Sequence, residues 1–125
     1  MNLAQNAIRA YGHSSMGVRS PRSIEYGVFS RISHRLRTAT LSRHENYGEF
    51  VAALSENRTL WTLLAVDVAQ PENGLDDDLR GRLFWLAEFV NEETQRVIRK
   101  QGDISVLIEI NASIMKGLRG RDDES

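Results

Sequence analysis

Few side chains in this 125-residue chain could do chemistry, and their spacing argues against most of it. Nucleophilic catalysis needs a nucleophile, a base beside it and a group that orients the base. The three histidines, His13, His34 and His44, fall in a loop, on the polar face of a helix and in a second loop, with no evident partner. None has the helical spacing to another histidine, with a nearby carboxylate, that a zinc hydrolase uses. The run Asp76-Asp77-Asp78 has the acidity of a calcium loop without its pattern of alternating oxygen ligands, and Arg80 breaks the alternation. Phosphate loops lead glycines into a lysine and a hydroxyl, and neither Lys100 nor Lys116 is so placed. There is no cysteine, so a thiol nucleophile, a thiolate metal site and a disulfide framework are excluded. The expectation is a chain that is not an enzyme and needs neither metal nor cofactor.

Binding is the chemistry that remains. Arg31, His34, Arg35 and Arg37, with Arg43 nearby, could displace counterions from a phosphate backbone, but the aromatic interleaving of a single-strand platform is missing there. An arginine-rich polar face is, in the simpler reading, a solvated helix side. Trp85 falls in the polar sector of its helix with Phe89 one turn on, so the pair is either covered by another helix or offered to a protein partner; internal packing is the favoured reading. The last helix is apolar around most of its circumference, with Ile108 and Met115 among the residues that must be covered. Asn111 sits in the middle of that apolar arc. A buried amide needs partners, and the simpler reading is an internal contact, for instance to a carbonyl near Pro71. The functional reading is that Asn111 fixes the register of a bound partner. Trp85, Phe89, Ile108, Asn111 and Met115 are therefore the candidate partner-binding residues, and Arg31, His34, Arg35 and Arg37 the alternative RNA-contact set.

The elements that must position these residues are helical, because apolar residues recur at intervals of three and four and strand-like alternation is absent. The fold class expected is all-α, a compact single-domain bundle of five to six helices over residues 1–120 with a disordered polar tail at 121–125. Ala4, Ile8 and Tyr11 share one side of a short first helix. Pro21 opens the second behind a Ser20 cap, and Ile24, Val28, Ile32, Leu36 and Ala39 form its core face with Phe29 on the flank. Ser30, Arg31, Ser33, His34 and Arg37 lie on the wet side. Tyr47 to Leu54 suggests a short third helix, with Asn57 capping a fourth over Arg58 to Val68, or a kink in place of the break; Trp61 lies in its apolar arc. Asp76-Asp77-Asp78 starts a fifth helix reaching about Lys100, and Asp103 caps a sixth from Ile104 to Leu118.

Size and composition fit one soluble domain: 41% of residues are hydrophobic and 26% charged. No apolar run approaches the ~18 residues of a membrane span. The start lacks the features of a secretory signal, and with no cysteine the cytoplasm is the expected compartment. The net charge of −1 hides an asymmetry, since residues 1–44 carry seven arginines and one acid while residues 45–125 carry nine basic and sixteen acidic side chains. Intramolecular matching of the two parts is the preferred reading over an acidic partner.

Two runs are more specific. Asn57-Arg58-Thr59-Leu60-Trp61 leading to Asp67-Val68-Ala69-Gln70-Pro71-Glu72-Asn73 follows the pattern NRxLWxxLAxDVAxPxN, and Leu107 to Gly120 follows LIxINxxIMxGLRG. In both, the chain resembles the FlaF family of bacterial flagellar biosynthesis proteins. The resemblance runs from about Ala7 to Gly120. It implies a cytoplasmic, non-enzymatic protein that supports flagellin synthesis and secretion by binding newly made flagellin. The alternative it implies is post-transcriptional control of flagellin expression together with FlbT.

Overall fold

A computed structural model describes the backbone of residues 21–124 apart from Asn73, and the side chains of residues 26–117 with the same exception. The expected first helix at Ala4 to Tyr11 and the Ser20 cap lie outside the described residues. Within them are four helices and no strand: α1 (Pro21–Leu41), α2 (Tyr47–Val68), α3 (Asp77–Ile98) and α4 (Ile104–Glu124). Each spans about 32 Å at the α-helical rise of ~1.5 Å per residue.

The expected third and fourth helices are one. Asn46, not Asn57, caps α2, its side-chain oxygen accepting from the Glu49 amide at 3.2 Å. From Phe50 onward the buried stripe Phe50, Ala53, Leu54, Asn57, Leu60, Trp61, Leu64 and Val68 keeps helical periodicity without a break. Asn57 belongs to that stripe, so its amide is directed sideways into the core rather than along the chain, and the backbone has no reason to stop. At the far end, α2 terminates at Val68 before Pro71, and Gly74 takes a φ of 94° in the connection. Asp76 caps α3 as expected, accepting from the Leu79 amide at 2.8 Å.

The turn from α3 to α4 is closely specified. Lys100 N–H donates to Val97 O at 2.9 Å and Gln101 N–H to Arg96 O at 2.8 Å, the paired bonds of a Schellman ending. Glu93 Oε2 accepts from the Asp103 amide at 2.7 Å, and Asp103 Oδ1 accepts from both the amide and the hydroxyl of Ser105, capping α4. Gly102 is obligatory here, because a Cβ would lie 2.8 Å from the Val97 nitrogen.

α1 packs against α2 and α4, and α2 against α3, whereas α3 and α4 touch far less than the other neighbouring pairs. The bundle is thus a ring of four with one loose side. Its core is built from Phe29, Ile32 and Leu36 of α1, Leu54, Trp61 and Val68 of α2, Val90 of α3 and Leu107 of α4. Phe29 meets the Trp61 indole edge-on, with ring centroids 5.5 Å apart and planes at 83°. On the outside of the α1–α2 pair, Arg35 bonds Glu49 at 2.9 Å and Glu56 at 3.1 Å, one place where the basic and acidic parts of the chain meet as the charge asymmetry suggested.

Candidate functional site: an aromatic face and a buried amide network

α3 buries Leu83, Ala87, Val90, Thr94 and Val97. Trp85 lies almost opposite that stripe and is 63% exposed, so the internal packing favoured for it from the sequence does not occur. Thr94 takes an inward position by satisfying its hydroxyl on Val90 O at 2.6 Å. Trp85 is stacked on Phe89, ring centroids 5.9 Å apart and planes at 19°. Phe84, which the sequence reading passed over, is exposed on the same helix. A shallow, largely apolar depression of about 530 Å³ lies beside Trp85, floored by Gly81 and Leu86 and edged by Asp78 and Arg82. Asp78 and Arg82 are ion-paired at 2.9 Å, and the exposed Asp77 adds a further carboxylate to that polar edge.

Ile108 and Met115 of α4 are half-buried and packed against the core. They share one flank of α4, just beyond Asn111 as the helix turns, and Asn111 reaches Ser33 of α1, so this flank lies toward α1. The opposite flank, with Val106 and Ile110, turns toward α3 and the loose side of the ring. Trp85 and Phe89 are therefore brought together, and so are Ile108 and Met115, but the two pairs occupy different parts of the surface.

Asn111 is fully buried and makes internal contacts, as the simpler reading expects. The partner differs from the loop carbonyl near Pro71. An indole N–H can only donate, so the Asn111 oxygen must face Trp61 Nε1, at 2.9 Å. That choice sends the Asn111 amide nitrogen toward Ser33 Oγ at 2.8 Å and Asn57 Oδ1 at 2.7 Å. Asn57 must then present its oxygen inward, and its own Nδ2 is left without a partner. Ser33, expected on the wet side of α1, is 4% exposed because it closes this network. The network ties α1, α2 and α4 together at one level and gives α4 a single register against the other two.

Arg31, His34 and Arg37 lie on the exposed side of α1, while Arg35 is half-buried. The hydrogen bonds that Arg35 donates to Glu49 and then to Glu56 raise its pKa above the ordinary value. Arg35 is thereby tied to α2 by two carboxylates. Arg80 acts in a way the sequence reading missed: its guanidinium donates to Val68 O at 2.7 Å and Gln70 O at 3.0 Å, closing the carbonyl end of α2 from the start of α3. The available signal was a cation in a helix's first turn, where the macrodipole disfavours it unless it has another task. Among the described residues no group of three or more acidic, histidine or cysteine side chains is placed to hold a metal ion, and no helix is long and apolar enough to cross a membrane.

Asn57, Trp61 and Asn111, three residues of the two sequence runs, thus meet in one buried cluster although they are up to 54 positions apart. No curated protein and no solved structure matches the chain. The family described as flagellar protein FlaF matches residues 7–118, which takes in the whole first run and the second as far as Leu118, and the chain belongs to that family.

Proposed function

We propose that this FlaF protein is a non-enzymatic, chaperone-like factor that holds newly made flagellin before export, laying one of flagellin's amphipathic terminal helices against the outer face of α3. The observation that carries this reading is Trp85, 63% exposed on the side of α3 opposite its core stripe and stacked on the half-buried Phe89. Tryptophan in such a setting is typical of binding hot spots, and a partner helix supplies the apolar cover that the monomer does not. α3 and α4 are also the least closely packed of the neighbouring pairs. Ile108 and Met115 are secondary contributors in this reading, because much of their surface already serves the core.

The test is co-purification and calorimetry with flagellin, intact and lacking its terminal helices. Trp85→Ala should weaken binding to intact flagellin by at least ~1–2 kcal/mol. Because the side chain is mostly solvent-exposed, the unfolding midpoint should barely move. Affinity should change little with salt, as expected for apolar contact and unlike phosphate binding. Equal affinity in a folded Trp85→Ala variant, or binding that survives removal of both flagellin terminal helices, refutes the proposal.

A further inference from the structure

At the end of the bundle where the α1–α2 turn faces the α3–α4 turn, a cavity of about 450 Å³ opens to solvent. Arg43, His44, Lys100, Asp103 and the Tyr47 ring surround it. Its floor includes Phe50 and Val97, both buried core residues. A volume of this order accommodates one or two side chains of a ligand.

Lys100 is the unusual member. It occupies the position just past α3 where a Schellman ending normally has glycine, and its φ of 64° lies in the left-handed region. A lysine there is less favourable than glycine, and the hydrogen-bonded turn around it holds the backbone in place. The turn thus sets where the Lys100 side chain leaves the backbone, and its ammonium lies over the Tyr47 ring, 6.0 Å from the centroid. Arg43 is anchored too: one of its donors bonds Thr40 O at 2.6 Å. Asp103 already spends one carboxylate oxygen on Ser105.

We infer that this cavity is a second binding site, which takes a single peptide carboxylate carried beside an apolar side chain. Lys100 and Arg43 supply the charge-assisted contacts, and Tyr47 with the apolar floor covers the neighbouring group. Two permanent cations against one carboxylate leave the rim one positive charge in excess. That matches a monoanion, whereas a phosphate dianion would exceed the surplus charge and meet about twice the repulsion from Asp103. The site shares no residue with the aromatic face of α3 and stands independently of the flagellin reading.

Nuclear magnetic resonance titration of the isotope-labelled full chain tests it with three probes: N-acetyl-leucyl-glutamate amide, its neutral glutamine counterpart, and inorganic phosphate. The glutamate peptide should produce saturable shifts confined to Arg43–Tyr47 and Lys100–Asp103, and the glutamine peptide should not. Lys100→Gln keeps the backbone conformation and removes the charge, whereas Lys100→Gly removes the charge and relaxes the backbone. Both should weaken glutamate-peptide binding about five-fold or more, with helix content unchanged. The inference is overturned by absence of shifts at about 20 mM peptide, by equal response to the glutamine peptide, by unchanged affinity in either Lys100 variant, or by a site that answers to phosphate and not to the peptide.

Discussion

Replacing Asn111 with leucine is the most searching perturbation of this fold. The substitution is nearly isosteric, so its cost reports lost hydrogen bonds more than lost volume. It removes three bonds at once, those with Trp61 Nε1, Ser33 Oγ and Asn57 Oδ1, at a position with no solvent exposure. The Ser33 hydroxyl can rotate toward a carbonyl of its own helix and be satisfied there. The indole N–H and the Asn57 oxygen have no such recourse. Two orphaned buried groups cost ~1–3 kcal/mol each, and the added apolar contact returns a part, so a net loss of about 3–4 kcal/mol is expected. Against a typical domain stability of ~5–15 kcal/mol that is a large fraction.

Asn57→Leu should cost clearly less, about 1 kcal/mol, because it breaks a single bond and at the same time removes the unpartnered Nδ2. In the double variant the two losses should fail to add by ~1 kcal/mol or more, since an apolar pair no longer strands the Asn57 oxygen. Urea unfolding followed by far-ultraviolet circular dichroism measures all three. A Trp85→Phe background lets Trp61 fluorescence report the core alone. If Asn111→Leu falls within ~1 kcal/mol of the parent, or if Asn57→Leu is the more damaging change, the network is not what holds α4 in place.

Three further outcomes follow from particular contacts. Gly102→Ala should destabilise the protein by ~1–3 kcal/mol in urea unfolding, because its Cβ would press on the Val97 backbone nitrogen as well as on the movable Glu93 carboxylate; a neutral result would show that the turn can shift. Arg80→Met keeps the stem but leaves the Val68 and Gln70 carbonyls without their donor, for a loss of ~1–3 kcal/mol. Hydrogen exchange should then quicken first near the end of α2, and uniform exchange would argue against a local capping role. Asp103 has its pKa lowered from 3.8, chiefly by the Ser105 hydroxyl and then by the Ser105 amide. A lowered carboxylate pKa contributes stability that is present above the unfolded value and lost as pH falls through the folded one. The stability difference between the parent and Asp103→Ala should therefore be constant above pH 3.8 and shrink below it; a gap unchanged by acid would remove the capping charge from the account.

The helical character of the fold was legible because each apolar stripe has its own period and most ends carry chemistry. Asp76 opens α3 and Asp103 opens α4, each where its residue type directs. The continuity of α2 was not legible, since Asn57 has the side chain of a cap and only its distant partner shows otherwise. Ser33 was misplaced for the same reason: on a wheel it belongs with Arg31 and His34, and nothing local indicates that Asn111, 78 positions away, makes it a core residue. The partner-binding set divides along the same line. Trp85 and Phe89 could be found as aromatic residues in a polar sector, but whether another helix covered them depended on how tightly α3 and α4 pack, a property of the assembled ring.

This division explains why two runs so specific for membership say little about mechanism. Trp61, Asn57 and Asn111 are buried in one hydrogen-bonded cluster, and Asp67 to Pro71 leads into a helix end closed by Arg80. These are the residues that make the four helices adopt one arrangement. The surfaces proposed to meet other molecules, the Trp85–Phe89 face and the rim with Lys100, lie outside both runs. A core this dependent on polar pairing favours uniqueness over raw stability, because each amide satisfied in the correct register would be stranded in any other. Such a scaffold sets where the backbone presents Trp85 on α3 and Lys100 in its left-handed turn, so the two proposed sites depend on a register that the buried amides specify.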